Sequence, residues 1–234
     1  LGITGIITPT APEAELLMKS LGDSHCLVIQ GKTFCKGRIN RAEVILAVCG
    51  IGKANAAHTA ALLSERFKPS QVYVIGVAGA YPQSGLDIGD IAVADREIYG
   101  DEGLMTPDGI ITMDGLGLPL AFDGCANFYN EFPLFIPDSL KNHKNIGAFV
   151  TVSSCTGSLK TGLEIKKRFG AVCENMEGAA VAHVGLLNNI PVTEIRGISN
   201  IIEDREGKPL DRAALSLAAR NVQNFFMDRL NGSK

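Results

Sequence analysis

The chain has 234 residues, 46% of them hydrophobic and 20% charged, with a formal net charge of −3 from 22 basic and 25 acidic side chains. That balance suits a globular protein with a sizeable core and excludes a disordered chain; it offers no basic surface for nucleic acid or an anionic membrane. No apolar run reaches the roughly 20 residues that cross a bilayer, and residues 1–10 lack the basic flank and long apolar centre of a secretory signal peptide.

Residues 3–7 read as a first strand, and residues 12–21 as a helix after a short loop. Residues 25–30, 33–39 and 42–48 predict a meander of strands, with turns at Gln30-Gly31-Lys32 and Asn40-Arg41. Residues 50–53 open an Ala-rich helix that reaches residue 67. Residues 72–75 are a continuous apolar run, as a fully buried central strand requires, and Gly76-Val77-Ala78-Gly79 ends it. Residues 90–99 read as another strand. The Gly-, Pro- and Asn-rich residues 101–144 predict loops and one short helix. A strand at 145–152, a helix at 159–169, a strand at 171–175, a helix at 177–187, a strand at 192–198 and a last helix at 210–230 complete the chain.

No repeat or low-complexity linker interrupts this order, so residues 1–234 are read as one domain. Strand–helix alternation predicts a three-layer α/β/α sandwich around a twisted central sheet. The early meander makes that sheet mixed. The 6 cysteines show no C-x-x-C spacing; Cys26, Cys49 and Cys173 fall in apolar strand-like runs, where a thiol behaves as a small buried hydrophobe. A reducing cytoplasm follows as the expected location. The 4 histidines have no metal-ligand spacing, and His58 and His183 sit in Ala-rich helical patterns that predict structural roles.

In open α/β sheets ligands gather at the carboxyl ends of strands. Here those ends fall at residues 8–13, 76–79, 175–178 and 199–200. Cys49-Gly50-Ile51-Gly52-Lys53 reads as a tight strand-to-helix turn rather than a phosphate cradle, since it lacks a third glycine and P-loop spacing. The small residues of Gly76-Val77-Ala78-Gly79 let either a ligand or a helix approach the backbone. Glu177 stands where a strand gives way to a helix. It either favours the helix N-terminus or accepts hydrogen bonds from paired sugar hydroxyls, with Met176 as an apolar face. Glu13, near Glu15, occupies a first helical turn begun at Pro12, ordinarily a solvated place. Arg196 lies inside an apolar strand and needs an acid such as Glu194.

Taken in order, these segments resemble the purine nucleoside phosphorylase and nucleosidase superfamily over nearly the whole chain. The resemblance is carried by Gly50-Ile51-Gly52-Lys53, Gly76-Val77-Ala78-Gly79, Gly89-Asp90-Ile91, Met176-Glu177-Gly178-Ala179-Ala180 and Arg196-Gly197-Ile198-Ser199-Asn200. The opening is similar to the hydrolytic branch, in which an acid after the first strand positions the attacking water; Glu13 falls there. The Gly-Asp-Pro-like phosphate turn of the phosphorylases has no counterpart in Thr8-Pro9-Thr10-Ala11-Pro12. Methylthioadenosine/S-adenosylhomocysteine nucleosidases, which release adenine, carry Asp where this chain has Asn200. The segments at 151–157, 174–180 and 194–200 resemble futalosine hydrolases instead, while Glu203-Asp204-Arg205 follows their pattern only in part.

That resemblance implies hydrolysis of futalosine to hypoxanthine and dehypoxanthine futalosine, on a route to menaquinone. It implies Glu13 as general base, Asn200 as the group that hydrogen-bonds the purine, Glu177 on the ribose hydroxyls and Met176 against the sugar. Val77, Ala78, Gly79 and Ser199 complete the substrate-binding set. No metal or organic cofactor is implied; the partner is a small-molecule nucleoside, and a homo-oligomer is expected. An adenine-releasing nucleosidase and a non-catalytic nucleoside-binding sensor are the alternatives.

Overall fold

The computed structural model describes residues 2–107, 109–207 and 209–230. The first part runs β1 (Thr4–Thr8), α1 (Ala11–Lys19), β2 (Gly22–Ile29), β3 (Lys32–Ile39), β4 (Ala42–Val48), α2 (Lys53–Phe67), β5 (Gln71–Ala80) and β6 (Ile91–Tyr99). Short pieces follow: β7 (Gly103–Thr106), β8 (Gly109–Thr112), α3 (Met113–Leu116), β9 (Ala121–Phe122), β10 (Asn127–Phe128), β11 (Glu131–Pro133) and a 3-10 turn at Asp138–Leu140. The last part is β12 (Ile146–Thr151), α4 (Leu159–Phe169), β13 (Ala171–Asn175), α5 (Gly178–Leu187), β14 (Val192–Ile201) and α6 (Arg212–Leu230).

The alternation of side chains along a strand builds the layers. In β1, Ile6 packs with Leu17 of α1 and Val222 and Phe226 of α6, while its neighbour Ile7 packs with Ala56, Ala60 and Leu63 of α2 and Ala179 to Ala182 of α5. In β4 the same switch separates Val44 and Leu46 from Ile45 and Ala47. A strand covered by helices on both sides must be apolar on both faces, and this one is from Val44 to Val48. The sheet is mixed: β1–β4, β1–β5, β5–β14, β6–β12 and β12–β13 are parallel, whereas β2–β3, β3–β4, β5–β13, β6–β14 and β6–β11 are antiparallel. Five of these strands close on themselves. From β5 the pairing passes through β14, β6, β12 and β13 and returns to β5.

Three departures from the sequence reading have physical causes. The strand at 72–75 does not end before Gly76: β5 continues to Ala80 because β14 and β13 give its second half ladder partners on both sides. Residues 101–144 hold five short strands besides the small helix α3; strands of two to four residues carry no readable alternation. Cys26 is not a buried hydrophobe. It lies exposed on β2, an outer strand with one face open, opposite Cys35 of β3, and the two form a disulfide with Cα atoms 4.0 Å apart. That pairing withdraws both thiols from the case for a reducing compartment; Cys49 and Cys173 are free and buried as expected. Among the described residues no helix is long and apolar enough to cross a membrane.

Candidate active site

A cavity of about 620 Å³ opens where β1, β5, β13 and β14 end. Glu13, Val77, Ala78, Gly79, Met176, Glu177, Ser199 and Asn200 all line it, so the fold brings every residue singled out for substrate or catalysis to one place.

Glu13 reaches the cavity because α1 starts immediately after β1 and its first turn faces inward. The residue is only 5% exposed, which overrules the solvated reading of a first-turn acid. Its Oε1 accepts from the Val77 backbone N–H at 2.8 Å and its Oε2 from the Thr10 hydroxyl at 2.5 Å. That N–H is available because β1 stays in register with β5 only as far as Val74. Gly76 leaves room for the arrangement: a Cβ there would stand 2.5 Å from Arg196 Nη1 and 2.9 Å from Glu13 Oε1. Burial pushes the Glu13 carboxyl above its ordinary range; Thr10, Val77 and Arg196 pull it back, and the Glu177 charge adds to the rise.

Glu177 is the residue before α5 and is 3% exposed. Its Oε1 accepts from the Gly52 N–H at 2.9 Å, and its Oε2 lies 3.4 Å from Arg196 Nη1. The turn at 49–53 is therefore a tight turn, as read, that also presents one N–H to the carboxylate. Gly52 supplies the positive φ of 95° which the turn requires. A carboxylate is acceptor-only, with about four lone-pair directions, so each oxygen keeps capacity for a hydroxyl donor from the cavity.

Behind Glu177 lies a buried polar cluster. Asn175 Oδ1 accepts from the N–H groups of Glu177 at 2.8 Å and Gly178 at 2.7 Å, and from Arg196 Nη2 at 3.1 Å. It thus caps the orphan donors at the start of α5. Arg196 Nε donates to Glu194 Oε1 at 2.7 Å, the partner expected for it. Burial disfavours the Arg196 charge, and Glu194, Glu177 and Glu13 together outweigh that cost. Glu97 Oε2 accepts from the Thr151 hydroxyl at 2.8 Å, and its Oε1 accepts from Asn175 Nδ2. Burial and then the Glu194 charge drive the Glu97 carboxyl well above its ordinary value. Glu194 Oε2 has no hydrogen-bond partner, and a proton on Glu97 would supply the donor it lacks. The sequence reading gave no role to Glu97 or Thr151, and it placed Thr10 and Asn175 at ligand-facing strand ends without assigning either a contact. The available signals were a lone acid inside an apolar strand and an Asn just before a helix.

Asn200 is aimed by a bulge. Ile198 pairs with Ala78 and Asn200 with Gly79, leaving Ser199 as the extra residue. The Ser199 hydroxyl has Asn200 Oδ1 at 2.9 Å and Ala78 O at 3.2 Å as acceptors. With Oδ1 accepting from that hydroxyl, the Asn200 amide has its Nδ2 donor left beside Gly79. A Cβ on Gly79 would lie 2.9 Å from Nδ2, so the glycine keeps space for the amide. Met176 and Cys155, also in the lining, bring their sulfurs to 3.5 Å.

A match to the phosphorylase superfamily spans residues 3–229. The 5′-methylthioadenosine/S-adenosylhomocysteine nucleosidase of Maridesulfovibrio salexigens is 33% identical over 97% of both chains. The enzyme of that name from Listeria monocytogenes serovar 1/2a is also 33% identical over 97% of both. Among solved structures, the nucleosidase of Streptococcus pneumoniae with 8-aminoadenine superposes with a TM-score of 0.81 at 26% identity, covering 97% of this chain and 98% of that one. The enzyme of Colwellia psychrerythraea with adenine gives 0.79 at 26% identity, covering 98% and 94%.

Proposed function

The chain belongs to the phosphorylase superfamily, and we propose that within it this protein is a hydrolytic nucleosidase for 6-oxopurine nucleosides, with futalosine as substrate and hypoxanthine and dehypoxanthine futalosine as products. Asn200 is the observation that carries the choice of base. Its Oδ1 is occupied by Ser199, so the side chain offers the cavity a donor. A 6-oxopurine presents acceptors at O6 and N7 along one edge, and one amide NH₂ serves them. A 6-aminopurine presents a donor at the six-position, against which that NH₂ has nothing to accept.

Water is the nucleophile in this reading. Glu13 takes its proton as it attacks the anomeric carbon; the raised pKa of the buried carboxyl brings the base closer to neutrality. Glu177 holds the ribose hydroxyls and sets negative charge beside the oxocarbenium-like sugar. A carboxylate at Glu13 repels phosphate, which favours hydrolysis over phosphorolysis. Such a reaction calls for no metal or organic cofactor.

A second reading has its own support. The relatives compared above bear the name methylthioadenosine/S-adenosylhomocysteine nucleosidase, so release of adenine is the rival. Chromatography of the base released from futalosine, inosine and methylthioadenosine, with and without phosphate, separates them. Hypoxanthine from futalosine without phosphate is expected. Adenine from methylthioadenosine with futalosine untouched would establish the rival, and no base from any substrate would leave a nucleoside-binding protein without turnover.

A further inference from the structure

Arg205 is a cation in the cavity wall that the fold does not neutralise. It follows the end of β14, is half-buried, and lines the same cavity as Asn200. Its backbone N–H donates to Gly157 O at 3.2 Å. Its stem runs beside Gly157, where a Cβ would stand 3.7 Å from the Arg205 Cβ and Cδ. Among the described residues no carboxylate forms an ion pair with it. An acid whose titration it influences, Glu174, already accepts from the Thr156 N–H at 2.7 Å, the Thr156 hydroxyl at 2.7 Å and the Tyr81 hydroxyl at 3.1 Å.

The sheet register says which end of the cavity this is. Glu174, Gly79 and Asn200 stand side by side on β13, β5 and β14. Glu13 and Arg196 converge on Gly76, farther back along β5, and Arg196 meets Glu177 there. Arg205, beside Gly157 and close enough to Glu174 and Cys155 to lower the pKa that burial raises in each, belongs to the Asn200 end. One end of the cavity thus holds Glu13 and Glu177 around Arg196; the other holds the Asn200 amide and the Arg205 guanidinium, with Glu174 already engaged by Thr156 and Tyr81.

We infer that Arg205 is a leaving-group residue: its guanidinium donates to the six-oxygen of the departing purine and holds the negative charge that the base acquires. The inference rests on the reading of the cavity as a 6-oxopurine nucleosidase site. When the C1′–N9 bond breaks, its electron pair stays on the base and spreads onto O6. The water oxygen bonds to C1′ while Glu13 takes one water proton, and that proton finally returns to a base nitrogen. Nucleoside and water become free hydroxyl sugar and neutral base. An amide at Asn200 donates a hydrogen bond and no proton, so the base leaves as an anion, and a charge-assisted donor in a partly dry site answers that charge. A 6-amino group is itself a donor and would meet Arg205 donor to donor, so the residue also selects the base.

The test compares Arg205→Gln and Arg205→Lys with the wild type on futalosine and aminofutalosine, which share a tail and differ at the six-position. Arg205→Gln is expected to lower kcat for futalosine by about 100-fold and to affect aminofutalosine far less, with Arg205→Lys recovering part of the loss. Calorimetry reads the product side without turnover: hypoxanthine affinity should fall by about tenfold in Arg205→Gln while adenine affinity holds. Equal losses on both substrates, with hypoxanthine binding unchanged, would assign the guanidinium to the tail or to folding and overturn the inference. So would an unchanged kcat on futalosine. Failure of the wild type to release any 6-oxopurine would instead remove the reading of the cavity on which the inference stands.

Discussion

Glu13 shows how far a side chain's surroundings can outweigh its local position. A first-turn acid normally faces water, yet this one is buried against Val77 and Thr10. Glu13→Gln keeps the shape and removes the base; kcat should fall by about 100-fold or more, and a near-normal kcat would take Glu13 out of the mechanism. Because burial raises its pKa, the acid limb of kcat/KM should fall at a pH above the ordinary carboxylate range and vanish in that variant. Asn200→Asp trades a donor for an acid that can both donate to N7 and accept from an amino group. An unpaired polar group at the six-position costs about 1–3 kcal/mol, or roughly 5–150-fold in kcat/KM. The futalosine-to-aminofutalosine ratio should drop accordingly; a constant ratio removes Asn200 as the reader of the base. Both residues were legible as letters at strand ends. Arg205 was not, because an arginine in a loop carries no sign of what it faces.

At the scale of elements, α5 is seated on two carboxyls. A Cβ on Gly178 would lie 2.2 Å from both Glu97 Oε1 and Glu194 Oε2. Gly178→Ala should therefore lower stability by about 1–3 kcal/mol and depress turnover with it, since Glu177 is the preceding residue; an unchanged Tm would show that the helix can shift freely. The raised Glu97 carboxyl gives the same region a pH dependence. Its folded pKa lies above the unfolded carboxylate value, so the stability it contributes is complete below that value and is lost as pH rises through the folded pKa. Glu97→Gln retains a donor for Glu194 at every pH. Urea denaturation should show the variant gaining on the wild type as pH rises from about 4.5, the ordinary carboxylate value; parallel curves would mean that Glu97 does not hold the proton. The helix α4 and the strand β13 matched their sequence bounds because Ser158 and Gly170 cap the first, and the second starts on the apolar Ala171, Val172 and Cys173 directly after that Gly170 cap. The ends of β5 and β14 were missed because pairing between distant strands sets their length, and a local pattern does not record it.

For the molecule as a whole, the segment between β6 and β12 exposes Leu104, Met105, Leu118 and Phe122 at 51%, 75%, 56% and 60%. Side chains of this kind are depleted from monomer surfaces when they gather in patches. A homo-oligomer, expected from the superfamily resemblance, would give them a cover. Sedimentation velocity should show twice the chain mass or more, and Met105→Asp should shift it toward monomer; a monomeric wild type would end that proposal.

The closed circuit of five strands has a temporal consequence. β14 joins β5 to β6, and among the described residues α6 is the element after it. On a ribosome the chain emerges N-terminus first, so β5, β6, β12 and β13 leave the exit tunnel before the strand that locks them together. Until residues 192–201 are clear, neither Arg196 nor Asn200 exists to meet Glu177 or Gly79, and β5 presents an unpaired edge to whatever is near. Nascent chains arrested short of β14 should therefore stay open to protease and occupy holding chaperones, and release of the last helix should bring protection of the core and nucleoside binding together.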